Sequence, residues 1–132
     1  MKISTKGQYA VRLMAEIAQS DGVVSISNIA KSQNISVKYL EQIVSLLTKA
    51  GLLEGSRGHM GGYKLSKSAK DISIKNILST TGDTSSLAPC VKGSCERKGS
   101  CYAMSVWNNL GELIDDYLSK ISLQDVIDKK VQ

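Results

Sequence analysis

The stretch SISNIAKSQNISVKYLEQIVSLLTKAGLL, residues 25–53, constrains this chain more than any other. Ser25 or Ser27 can cap a short helix carrying Ile29 and Ala30, which the turn-forming QNIS interrupts. Ser36 can cap a second, longer helix whose Leu40, Ile43, Val44 and Leu47 recur at helical spacing, with Gly51 at its C-terminal end. Two helices joined by a tight turn, the second the longer, form a helix-turn-helix pattern. LLEGSRGHMGGYKLSK then begins at Leu52. Leu52, Leu53 and Glu54 predict one strand, and Tyr63, Lys64 and Leu65 another. The intervening GSRGHMGG holds four glycines, which tolerate positive φ and close backbone approach. A hairpin directly after the second helix of such a pair is a wing.

The flanking segments complete a mainly α fold, a winged helix-turn-helix with a two-stranded wing and a long C-terminal helix. Ser4 or Thr5 can cap a first helix with Tyr9, Ala10, Leu13, Met14 and Ile17 at helical spacing. SIKNILSTTG predicts a short helix ending at Gly82. Met104, Trp107, Leu110, Ile114, Tyr117, Leu118 and Ile121 trace an apolar stripe along a long helix. Ser122 with Asp125 predicts a capping box for a short terminal helix. No apolar run approaches the roughly 18 residues of a membrane span. Lys6, Arg12 and Glu16 interrupt the N-terminal apolar positions, so no secretory signal is expected.

Charge is unevenly spread. Residues 1–70 carry ten Lys or Arg against four Asp or Glu, and residues 71–132 carry seven against eight, balances of +6 and −1. A basic half containing a docking element points to an anionic partner, and duplex DNA suits this one. A recognition helix enters the major groove by its N-terminal residues, here Ser36, Lys38 and Tyr39, with Gln42 one turn on. Arg57, at the wing tip, has the reach for a minor groove, and Lys64 and Lys67 would flank the phosphate backbone. The pattern divides the chain into a DNA-binding domain at 1–82, a cysteine-containing sensor loop at 83–103, and a long helix with a short terminal one at 104–132. Nothing indicates an enzyme: no nucleophile has a base placed beside it, and no phosphate-cradling GxxxxGK[ST] occurs.

All three cysteines, Cys90, Cys95 and Cys101, fall in PCVKGSCERKGSC. The interspersed Pro89, Gly93, Ser94, Gly99 and Ser100 let a loop curl so that three sulfurs face one centre. Lys92, Arg97 and Lys98 favour thiolates. A cytoplasmic location, where thiols stay reduced, is expected, and clustered cysteines there bind metal or sense redox state. The candidates are an iron–sulfur cluster, a cluster-free thiol switch and, more remotely, structural zinc, whose tetrahedron three thiolates underfill. A scaffold protein using a cluster structurally, without DNA binding, is a further alternative.

The opening MKISTKGQYAVRLM, the reader ISVKYLEQI with LLTKAGLL, the wing SRGHMGGYKLSK and the cysteine loop together resemble the winged-helix repressor family that includes IscR, NsrR and CymR. The resemblance covers nearly the whole chain and is nearest to the cluster-binding, IscR-like members. It implies a homodimer in which the long helix crosses its partner's, a palindromic operator, and DNA contacts at Ser36, Lys38, Tyr39, Gln42 and Arg57. It implies that Glu41 restrains sequence choice until the cluster state changes. It also implies a 2Fe-2S cluster on the three loop cysteines. The fourth ligand departs from the pattern. IscR has a His three residues after its last cysteine, where this chain has Met104. The acidic ligand of the nitric oxide sensors matches about Gln8, so that position, Arg12's neighbourhood, Tyr102, Ser105, a small molecule or no ligand remain open. The single His59 falls in the wing.

Overall fold

The structure is a computed structural model that describes residues 2–58, 61–83 and 99–131. Helix α1 spans Thr5–Ala18 and is capped by Ser4, whose Oγ accepts from the Gly7 N–H at 2.9 Å. Helix α2 spans Ile26–Gln33 under a Ser25 cap. It ends on Asn34, which takes a left-handed φ of 54° and lets the Ile35 N–H reach the Ala30 carbonyl at 3.1 Å. Asn tolerates that conformation better than other non-glycine residues, which is why QNIS works as the turn. Helix α3 spans Val37–Lys49, with Ser36 Oγ accepting from the Tyr39 N–H at 3.1 Å. Gly51, at a φ of +80°, ends it as the spacing predicts.

Strands β1 (Leu53–Ser56) and β2 (Gly62–Leu65) form the expected antiparallel wing, with Leu53 opposite Leu65 and Gly55 opposite Tyr63. A third segment joins it. Val24 and Tyr63 exchange backbone hydrogen bonds of 2.9 and 2.8 Å, tying the start of the helix-turn-helix to the wing. Gly62 permits this approach, because a Cβ there would overlap the Val24 carbonyl.

After a 3₁₀ turn at Ala69–Asp71, helix α4 (Ile74–Thr80) starts from a capping box between Ser73 and Asn76. The long helix α5 spans Met104–Lys120, and α6 spans Leu123–Ile127 with the predicted Ser122–Asp125 capping box. The junction between α5 and α6 is tied to the body: the Ile74 N–H donates to the Ile121 carbonyl at 2.9 Å and the Leu123 N–H to the Ile72 carbonyl at 2.8 Å. Leu123 is fully buried in the core with Ala10, Leu13 and Met14 of α1, Leu40, Ile43 and Leu47 of α3, and Ile77 of α4.

The apolar stripe of α5 divides. Gly111 is buried and Ile114, Leu118 and Ile121 are half-buried, whereas Val106, Trp107, Leu110 and Tyr117 face outward with Leu113, which is 66% exposed. Trp107 is therefore no part of the described core.

Asp83 links distant parts of the chain. Its carboxylate accepts from the Ser4 N–H at 2.8 Å, the Ser4 hydroxyl at 2.8 Å and the Thr81 hydroxyl at 2.6 Å. Gly7 lies beneath it, where a Cβ would overlap Oδ2. Burial pushes the Asp83 carboxyl up, but the hydrogen bonds from Thr81 and Ser4 outweigh it and hold the pKa below the usual carboxylate value. A native pKa below the unfolded one means that the unfolded state binds more protons between the two values. The contribution to stability is then complete above about pH 4 and is lost as pH falls through the lowered native pKa. Acid-unfolding curves of Asp83→Asn should lack this component, so its destabilisation relative to wild type should be greatest near neutral pH and shrink at low pH. Parallel curves at all pH values would refute the assignment.

Candidate nucleic-acid interface

Helix α3 is two-faced. Leu40, Ile43, Val44 and Leu47 are buried, while Lys38, Glu41, Gln42 and Ser45 face solvent. The core thus fixes which side chains point outward, and three of the four sequence-predicted contacts on this helix and its cap are exposed: Ser36, Lys38 and Gln42. The fourth, Tyr39, is half-buried. Its ring meets Tyr9 of α1 edge-on, with centroids 6.0 Å apart and planes at 87°. Arg12 lies over the other ring of the pair, with Cζ 5.2 Å from the Tyr9 centroid. Tyr39 therefore ties the first turn of α3 to α1. Ser36 Oγ accepts one hydrogen bond in the cap, which leaves its hydroxyl proton and a second lone pair for an outward partner.

Arg57 follows β1 directly and is exposed, and Gly58 after it has a φ of +109°. Lys64 sits on β2 across from Glu54, with Nζ 3.9 Å from its carboxylate, and both groups are more than half exposed. Such a pair contributes little and leaves the lysine free to turn to a phosphate. Lys67 is also exposed. Among the described residues, Lys38, Glu41 and Arg57 make no ion pair. A shallow groove runs along α3, lined by Lys38, Glu41, Gln42, Ser45 and Leu46, and closed on its far side by Lys6 of α1. Composition and spacing mark Lys6 only as a break in an apolar pattern, because its neighbours in the groove lie more than thirty residues away.

Of the cysteines, Cys90 and Cys95 lie outside the described residues, as does His59. Cys101 is half-buried and forms no disulfide among the described residues, and its carbonyl accepts from the Met104 N–H at 3.3 Å, at the foot of α5. Among the described residues, no group of three or more His, Cys, Asp or Glu side chains is gathered as a metal site. Gln8 is exposed on α1, its amide donating to the Ile3 carbonyl at 3.2 Å. Tyr102 and Ser105 are exposed.

The architecture and the reader are shared with known proteins. The family model Rrf2, described as an iron-dependent transcriptional regulator, matches residues 3–129. This chain belongs to the Rrf2 family. The helix-turn-helix protein NMA1593 of Neisseria meningitidis, named as a transcriptional regulator, is 38% identical, the match covering 98% of this chain and 90% of that one. IscR of Pectobacterium atrosepticum is 34% identical over 98% of this chain and 81% of its own. Among solved structures, the global cysteine regulator CymR of B. subtilis superposes with a TM-score of 0.78 at 30% identity, covering 98% of both chains. IscR of T. potens gives a TM-score of 0.78 at 34% identity, over 99% of this chain and 89% of that one. The Rrf2 protein is accordingly a winged-helix, DNA-binding transcriptional regulator, from a family of regulators rather than enzymes. Among the described residues, no helix is long and apolar enough to cross a membrane.

The Tyr9–Tyr39 contact ties the recognition helix to α1, and edge-to-face pairs contribute about 0.5–1.5 kcal/mol beyond burial. A double-mutant cycle with Tyr9→Leu and Tyr39→Leu, read by chemical denaturation, should give a coupling energy in that range. Strict additivity would mean that the rings merely coincide.

Proposed function

We propose that this Rrf2 protein is a homodimeric repressor in the cytoplasm, binding a palindromic operator in double-stranded DNA, with a 2Fe-2S cluster on Cys90, Cys95 and Cys101 setting its affinity. Ser36, Lys38, Tyr39 and Gln42 meet the major groove, Arg57 the adjacent minor groove and Lys64 the backbone, and Glu41 restrains sequence choice. The carrying observation is where the cysteine-bearing segment is tied at its two ends. Asp83 is clasped to the start of α1, and Cys101 stands at the foot of α5. Helix α1 packs on the recognition helix, and α5 bears the exposed face of Val106, Trp107, Leu110, Leu113 and Tyr117 that a second copy would cover. The state of that segment thus bears on both the seating of α3 and the spacing of two such helices. Half-sites about 34–36 Å apart demand that the spacing be held.

The donor set suits the cluster in chemical type. Three soft thiols among Lys92, Arg97 and Lys98 meet the requirement for charge-compensated thiolates, and Cys101 is half-buried. Met104 offers a poor fourth donor; Tyr102 and Ser105 follow the last cysteine closely, Gln8 and Arg12's neighbourhood lie on α1, and a small molecule or no ligand complete the alternatives. A bound cluster supplies a redox-active iron centre that reacts with oxygen or nitric oxide. The chain's own residues hold the segment in arrangements of unequal operator affinity, since equal affinities shift no equilibrium. The likeness to CymR, a cysteine regulator by name, favours a second reading in which the same three thiols act without a cluster.

Anaerobically purified protein should be brown, contain iron and sulfide in equal amounts, and lose its colour on Cys95→Ala. A colourless protein under strict anaerobic handling would move control to the thiols alone. Replacing Lys38 and Arg57 together by Ala should weaken retention of a duplex selected from a randomised library by at least tenfold, roughly what one or two lost base contacts cost. Undiminished retention would show the gripping surface to lie elsewhere.

A further inference from the structure

We propose that Lys6, in the first turn of α1, is a further phosphate contact to the bound duplex, with Asp83 as its positioning residue. The inference rests on the reading that α3 occupies the major groove. That groove is about 12 Å wide and a helix with its side chains about 10–12 Å across, so whatever flanks α3 meets the phosphates at the rim. Helix α1 is what flanks it. Tyr9 touches Tyr39 in the first turn of α3, and Lys6 lines the groove beside Gln42, Ser45 and Leu46. The two helices therefore run antiparallel here, carrying Lys6 alongside the middle of the recognition helix.

Lys6 also lacks any ion-pair partner among the described residues, although Glu41 lines the same groove. Two lysines, Lys6 and Lys38, thus border one shallow groove with their charges uncommitted. An anion between or beside them relieves their repulsion. First turns of helices commonly fray. This one does not have that freedom: Ser4 is held through both its N–H and its hydroxyl, and Gly7, the neighbour of Lys6, is packed under the Asp83 carboxylate. A lysine on a pinned backbone gives up less conformational entropy when it meets a phosphate.

The role assigned to Asp83 has a sign that separates it from simple charge. Removing a carboxylate from a DNA-binding protein strengthens binding if only the net field matters. Loosening the turn that carries Lys6 weakens it. Thr81→Val loosens the same clasp without altering charge, and it serves as a second probe should Asp83→Asn fail to fold.

The test uses the full-length protein with two probes, the duplex that wild type selects from a randomised library and a scrambled duplex of equal length, titrated across a salt series. Lys6→Ala should lower the slope of log affinity against log salt by about 0.9 per bound protomer, with the same fold-loss on both duplexes. Asp83→Asn and Thr81→Val should weaken binding in the wild-type background and have no such effect when Lys6 is already Ala. An unchanged slope for Lys6→Ala, or a loss confined to the selected duplex, would overturn the phosphate contact. Strengthened binding by Asp83→Asn together with wild-type binding by Thr81→Val would overturn the positioning role. Wild type that retains neither duplex would instead sink the DNA-reading surface as a whole.

Discussion

The outward face of the recognition helix depends on one apolar contact, the packing of Leu40, Ile43, Val44 and Leu47 of α3 with Ala10, Leu13, Met14 and Ile17 of α1 in a shared core. Each large aliphatic side chain buried there contributes on the order of 1.5–3 kcal/mol relative to exposure. Because an α-helix repeats every 3.6 residues, burying that set rotates Lys38, Glu41, Gln42 and Ser45 to the opposite side. That packing turns these four side chains outward, while Tyr39 beside them takes its place from the ring of Tyr9. The same packing brings α1 alongside them, which is how a helix outside the helix-turn-helix comes to border its working face.

What could be read from the chain before folding was whatever local chemistry dictates. Ser4, Ser25 and Ser36 cap their helices because a short hydroxyl side chain satisfies an orphan N–H two or three residues on. Gly51 and Asn34 end helices because they accept a left-handed backbone. The Ser122–Asp125 box is legible for the same reason. The features that escaped are those made by residues far apart. Asp83 finds Ser4 across 79 positions, and no periodicity signals it. Val24 pairs with Tyr63, and the only trace of that in the chain is a second glycine at Gly62 whose purpose a turn alone does not explain.

The long helix shows a different kind of limit. Its apolar positions follow helical spacing, and spacing alone cannot say which neighbour they meet. The fold divides them: Ile114, Leu118 and Ile121 lean on the body, and Trp107, Leu110 and Tyr117 turn away together with Leu113, which lies off the predicted stripe. The candidate DNA contacts were legible as residue types at the start of a recognition helix. Their supports were not, since Tyr39 meets the Tyr9 ring thirty positions away.

The way α5 is fastened has a mechanical consequence. Backbone hydrogen bonds and buried Leu123 clamp its C-terminal end, and the ion pair between Lys75 and Asp115, at 3.6 Å, lies in the same half. Its other end begins beside a cysteine. Seventeen residues make a rod about 25 Å long, so a tilt of about 10° at the clamp sweeps the thiol end through about 4 Å. The helix therefore joins an end anchored in the core to an end that carries the sulfur.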